Sequence, residues 1–297
     1  MKKFSRLFLL FIFVLGCFAA ADAQQIQLPR ESQSAQVAQT IGDAVVKIVY
    51  ARPNVKGREI WGKLVPYNEV WRTGANENTT FEISENVRVN GQDLPAGKYG
   101  LHTIPNKDEW IIIFNRVNDA WGSFTYDAKQ DALRVKVKPQ VQTEVHENLT
   151  FAFENVKPTT ADAVLTWEKL RVPFTIDAGD VNARVLGKAR KAISNLKADD
   201  AQANVQARMT AANFVISNKL TDNYAEAMTW IDQSLKMRES FSTLGAKARL
   251  SAAMSNYKDA GIYGDKAVAA AKTAQQPVNA EALANFEKDL ASWKSKN

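Results

Sequence analysis

The chain predicts a two-domain protein: an N-terminal all-β antiparallel sandwich or barrel, followed by a C-terminal all-α helix-hairpin array of tetratricopeptide-like type. Three observations predict it. Eight of the nine prolines and five of the seven tryptophans lie at or before Pro173. Short alternating or β-branched runs recur about every ten residues in that half, with turn residues between them. Beyond Asp180 the chain becomes rich in Ala, Lys, Asn and Gln, and its apolar residues take helical spacing. The boundary is placed in Asp177-Ala-Gly-Asp180, dividing the chain into 1–23, 24–180 and 181–297.

Residues 1–23 read as a signal peptide. Lys2, Lys3 and Arg6 form a positive start, Leu7–Phe18 is a short apolar run, and Ala21-Asp-Ala23 offers a cleavage site. This implies export to the periplasm or the extracellular space. Val14-Leu-Gly-Cys17 is close to a lipoprotein processing box, so a lipid anchor at Cys17 is the alternative. Cys17 is the single cysteine, leaving the mature chain without a disulfide. No later stretch is apolar and long enough for a transmembrane helix.

In the β half, Val45–Tyr50 is a β-branched run, and Thr79–Ile83 alternates in part. Val87-Arg-Val89 leads into Asn90-Gly91, a hairpin signal, and Leu94-Pro-Ala-Gly97 is turn chemistry. Lys98–Ile104 and Trp110–Phe114 follow; the second is apolar on both faces and reads as a central strand. Leu133–Lys138 places Arg134, Lys136 and Lys138 on a wet face. Leu149–Phe153, Ala163–Trp167 and Leu170–Ile176 complete the set. In the α half, Val181, Val185, Ala189, Ile193 and Leu196 recur behind Asp180, a helix N-cap. Further helices are expected near 200–218, 221–238, 242–254, 257–273 and 279–294, with Thr221 and Asn279 as caps. Tyr224-Ala-Glu-Ala227 recurs as Tyr257-Lys-Asp-Ala260 at an offset of 33, near the tetratricopeptide period. An unrelated small helical bundle is the alternative.

Charge divides with the domains. Residues 24–180 carry 18 Lys and Arg against 20 Asp and Glu, a net of −2; residues 181–297 carry 17 against 11, a net of +6. Lys scattered along helices of an exported chain serves solubility, so nucleic acid is not an expected partner. Two histidines, His102 and His146, and no mature cysteine give no metal-ligand spacing. Phosphate-cradle and nucleophile-elbow motifs are lacking, and no cofactor is implied.

The densest chemistry lies in residues 52–77, with two Trp, a Tyr, three Arg, three Gly and two Pro. Such a segment presents side chains from a rigid scaffold. Arg forks suit carboxylates, phosphates and sugars, and indoles offer flat faces to a ring. The candidate ligand-binding residues are Arg52, Arg58, Trp61, Trp71, Arg72, Asn76 and Glu77, with His102 on a glycine-flanked strand. The competing reading makes Trp61 and Trp71 core plugs and pairs Arg72 with Glu77.

Tyr50-Ala-Arg-Pro53, Lys56-Gly-Arg58, Trp61-Gly-x-Leu-Val-Pro-Tyr67, Val70-Trp-Arg-Thr-Gly-Ala-Asn-Glu77, Leu94-Pro-Ala-Gly-Lys-Tyr99 and Trp121-Gly122 resemble the domain-of-unknown-function 2911 family of secreted bacterial proteins. The resemblance spans roughly residues 27 to 177 and excludes the helical tail. It implies an exported protein and brings no catalytic residue or cofactor. The expected function is an exported binding protein. It would take a small polar or carbohydrate ligand on the β domain and a protein partner on the helices. An envelope hydrolase using Glu77 and His102, or a purely structural assembly factor, are the alternatives.

Overall fold

The computed structural model describes residues 28–297; the segment expected to be a signal peptide, its expected cleavage site and Cys17 lie outside them. Ten strands come first: β1 (Gln33–Ile41), β2 (Ala44–Arg52), β3 (Thr79–Ile83), β4 (Val87–Val89), β5 (Gln92–Leu94), β6 (Gly97–Ile104), β7 (Trp110–Asn115), β8 (Asp131–Val137), β9 (Gln140–Glu154) and β10 (Thr160–Asp177). They form a six-stranded sheet, β1-β2-β3-β6-β7-β8, and a four-stranded sheet, β5-β4-β10-β9. All named pairings are antiparallel, and the sheets pack as an open sandwich rather than a closed barrel.

Alternation sends one face of each strand inward. Val46, Ile48, Phe81, Leu101, Ile112 and Phe114 meet Val89, Leu165 and Phe174 in a single core. Each such side chain contributes about 1.5–3 kcal/mol on burial. β10 departs from the expectation of two strands. Its inward residues are odd-numbered at Ala161, Ala163, Leu165 and Trp167, then even-numbered at Val172, Phe174 and Ile176. The register with β9 shifts on either side of Glu168, whose φ is +53°. The phase of β10 flips at Glu168 without ending the strand, while the surplus residues bulge on β9, which advances from Thr150 to Val141 as β10 advances only from Thr166 to Leu170. β1 is a further strand that the sequence reading did not assign.

Six helices follow: α1 (Val181–Ser194), α2 (Ala201–Ser217), α3 (Tyr224–Met237), α4 (Phe241–Ala253), α5 (Tyr257–Lys272) and α6 (Ala280–Lys294). Asp180 caps α1 by accepting from the Ala183 amide, and Asn279 caps α6 by accepting from Ala282. Thr221 is not the cap of α3. A short 3₁₀ turn occupies Thr221–Asn223, and α3 starts at Tyr224 without a side-chain cap. The 33-residue echo lies in α3 and α5, where Ala227 and Ala260 are fully buried. The ends of α2 and α4 are instead 36 residues apart, at Ser217 and Ala253. The α2–α3 connection holds six residues and the α4–α5 connection three, which accounts for the difference. Gly264 is required by close packing, because a Cβ there would stand 2.3 Å from Leu290 Cδ1 of α6. No helix among the described residues is long and apolar enough to cross a membrane.

The domains are joined by charge. Asp43, in the β1–β2 turn, accepts from Arg184 Nε at 3.0 Å and from Lys188 Nζ at 2.9 Å. Lys188 Nζ also donates to Glu85 at 2.6 Å. Hydrogen bonds from Arg184, then Lys188, outweigh burial and hold the Asp43 carboxyl down at about 2. Asp43 thus contributes stability above its ordinary value near 3.8, lost as pH falls toward 2. Asp43→Asn is expected to cost about 1–2 kcal/mol, between exposed and buried pairs. Urea unfolding with and without 0.5 M NaCl reads this; a loss unaffected by salt would contradict an electrostatic joint.

Candidate functional site

The 53–78 segment joins β2 to β3 and is held at both ends. Val55 N donates to Glu147 O at 2.8 Å and Leu149 N to Pro53 O at 3.0 Å, tying it to β9. Trp71 and Thr103 exchange two backbone bonds at 2.8 and 2.9 Å, tying it to β6. Val55, Ile60 and Val65 plug into the core. Gly62, with φ +82°, is needed where Tyr67 Cε2 would lie 2.8 Å from a Cβ. The loop is therefore a fixed surface.

Four indoles cluster at this end of the sandwich. Trp61 meets Trp110, Trp167 and Trp71 edge to face at 5.0, 5.7 and 6.0 Å, while Trp71 stacks on Trp167 at 5.9 Å and 18°. The Nε1 atoms of Trp61, Trp110 and Trp167 are buried without hydrogen-bond partners among the described residues. Trp61 and Trp71 are both partly buried and packed against the core.

A cavity of about 230 Å³ opens beside the stacked pair, lined by Glu31, Lys56, Arg58, Trp71, Arg72 and Trp167, among others. Arg72 does not pair with Glu77. Its Nε is buried with no partner among the described residues, and burial alone lowers its pKa. Lys56 is engaged by Glu31. A groove of about 500 Å³ lies alongside, over the outer face of the six-stranded sheet. Asn76 and Glu77 line it. Arg30 Nη1 donates to both Glu77 carboxylate oxygens at 2.7 Å, and this hydrogen bonding lowers the Glu77 pKa. Asn76 Nδ2 donates to Ser32 O at 3.0 Å. Ser32 borders both spaces, so residues 30–32 form a partition between them.

The remaining candidates make hydrogen bonds within the domain. Arg52 donates to Leu149 O and Thr150 Oγ1 at 3.1 and 2.9 Å. Arg58 Nε donates to Val55 O at 3.0 Å, though its side chain still reaches the smaller cavity. His102 is 3% exposed. Its Nδ1 is 3.0 Å from Ser123 Oγ, and burial, partly opposed by Asp131, pushes its pKa down to about 4. Glu77 bonds Arg30 and His102 bonds Ser123, and no hydrogen bond joins Glu77 to His102. Trp167, Lys56 and Glu31 were absent from the sequence-based site. Trp167 sits in an ordinary strand pattern, and only the packing of β10 against the loop brings it to Trp71.

Comparison with known proteins leaves the chemistry to the structure: no curated protein and no solved structure matches the chain. Residues 32–176, the strand-built domain, match the family described as Protein of unknown function (DUF2911).

Proposed function

We propose that this is an exported binding protein, holding a small polar ligand on its β domain and a protein partner on its helices. The observation that carries the ligand reading is Arg72, a partly buried guanidinium with no carboxylate partner among the described residues, in the lining of a cavity walled by Trp71 and Trp167. A desolvated cation left unpaired costs stability, and such costs concentrate where a ligand relieves them. Fixed loop, flat aromatic walls and an unengaged fork are the components of a preformed small-molecule site. The helical half supports the second part of the reading. Hairpins α2–α3 and α4–α5 stack, and a concavity of about 580 Å³ is lined by Asn204, Arg208, Trp230 and Gln233, among others.

A panel of sugars, amino acids and organic acids tests the ligand reading by thermal shift. A ligand at one hundred times its Kd adds about 2.7 kcal/mol, hence a rise of roughly 5–10 °C for a chain of this size. The rise should be absent in Arg72→Gln. No shift from any compound would defeat this reading.

A further inference from the structure

We propose that the Arg72 cavity is an anion site, whose ligand presents a carboxylate or a phosphate monoester on a small molecule. This rests on the reading above and narrows it.

The argument is an inventory of donors and acceptors. The lining carries Lys56, Arg58 and Arg72 against one carboxylate, Glu31. That local excess of positive charge stands within residues 24–180, whose net charge is −2, so it is not general basicity. Of these cations, Arg72 makes no ion pair among the described residues, whereas Lys56 is engaged by Glu31. Side-chain and carbonyl acceptors nearby are largely taken. Glu31 engages Lys56, Asn54 O accepts from Arg58, and Gly74 O accepts from the Trp71 indole at 3.2 Å. A neutral sugar would leave the positive charge of this wall unanswered. A cation would meet like charge. An oxyanion answers the cationic lining, and a guanidinium binds it in a charge-assisted, fork-shaped arrangement. Glu31 seated on Lys56 shows the chain's own carboxylate already occupying part of this surface.

The position of Glu31 gives a second handle. Its side chain is 75% exposed, so Glu31→Gln should fold normally while releasing Lys56. Ligand titrations followed by indole emission, in low-salt buffer, should use D-glucuronate, glucose 6-phosphate, acetate, inorganic phosphate and neutral D-glucose. The anions should saturate and D-glucose should not. Arg72→Gln should weaken the response at least about tenfold and Glu31→Gln should strengthen it about threefold, as expected when one partner of a charge pair changes. A purely structural Arg72 would not produce the Glu31→Gln gain. Glucuronate against acetate, and glucose 6-phosphate against phosphate, separate recognition of the whole molecule from the bare group. Equal binding of D-glucose and D-glucuronate, indifferent to both substitutions, would overturn the anion assignment while leaving a ligand-binding protein. Silence from every anion while a neutral compound stabilises the protein would overturn it likewise. Silence from all compounds would remove both readings together.

Discussion

Replacing Trp110 by alanine should be among the most damaging single changes in this protein, lowering stability by about 3–5 kcal/mol. The side chain is fully buried at the start of β7 and stands 5.0 Å from Trp61 and 6.5 Å from Trp71. Removing it leaves a cavity that rigid sheets on both sides cannot collapse into. A loss of that size is a large fraction of the total for a typical domain. Trp110→Phe should behave differently. The Trp110 Nε1 has no partner among the described residues, so the phenyl ring gives up packing volume and also removes a buried orphan donor. Its cost should stay below about 2 kcal/mol. Guanidinium unfolding of both variants reads the contrast. A Trp110→Ala loss under about 1 kcal/mol would mean the four indoles do not pack as described.

Acidification should weaken the fold well before its carboxylates protonate. His102 titrates near 6.5 when unfolded and near 4 when folded, because burial disfavours the imidazolium more strongly than Asp131 favours it. The unfolded chain therefore binds more protons between these values, and stability rises with pH across that window. The contribution is fully present above about 6.5 and is lost progressively down to about 4, an effect of about 3 kcal/mol. Asp43 acts lower, from 3.8 toward 2, so the two windows separate. Urea midpoints at pH 7.5, 6.0 and 5.0 should fall steadily in the native protein. In His102→Gln they should fall far less. Parallel slopes in the two proteins would remove His102 as the source.

Much of this architecture was readable locally, for definable reasons. Val45–Tyr50, Thr79–Ile83 and Trp110–Phe114 are short runs rich in β-branched or aromatic residues, and Asn90-Gly91 dictates its own turn. Helix starts were readable at Asp180 and Asn279, because a cap is a bond between residues three apart. β1 was hidden because it is an edge strand made largely of Gln, Ser, Ala and Thr, whose inward Ala35 and Val37 are only partly buried. Edge strands carry such residues to discourage pairing with other chains. The unity of β10 was hidden because its change of phase at Glu168, where φ is +53°, imitates a break.

The site divides the same way. Residues 52–77 announced themselves by composition. That Trp61 packs among indoles depends on Trp110 and Trp167, which are far away in the chain. The partition at residues 30–32 depends on Arg30 and Glu31 finding Glu77 and Lys56, pairings that no local pattern encodes.

The charged joint has a practical corollary for anyone wishing to transplant a different tail. β2 runs from Ala44, next to Asp43, to Arg52 at the mouth of the Trp-rich loop, nine residues spanning roughly 30 Å. Flanked by β1 and β3, it works as a ruler with the graft point at one end and the cavity at the other. Only Ala178, Gly179 and Asp180 separate β10 from α1, so no tether absorbs a change of angle. A substitute helix would keep the original bearing only if it brought two cations one turn apart, as Arg184 and Lys188 are, to the waiting carboxylates of Asp43 and Glu85.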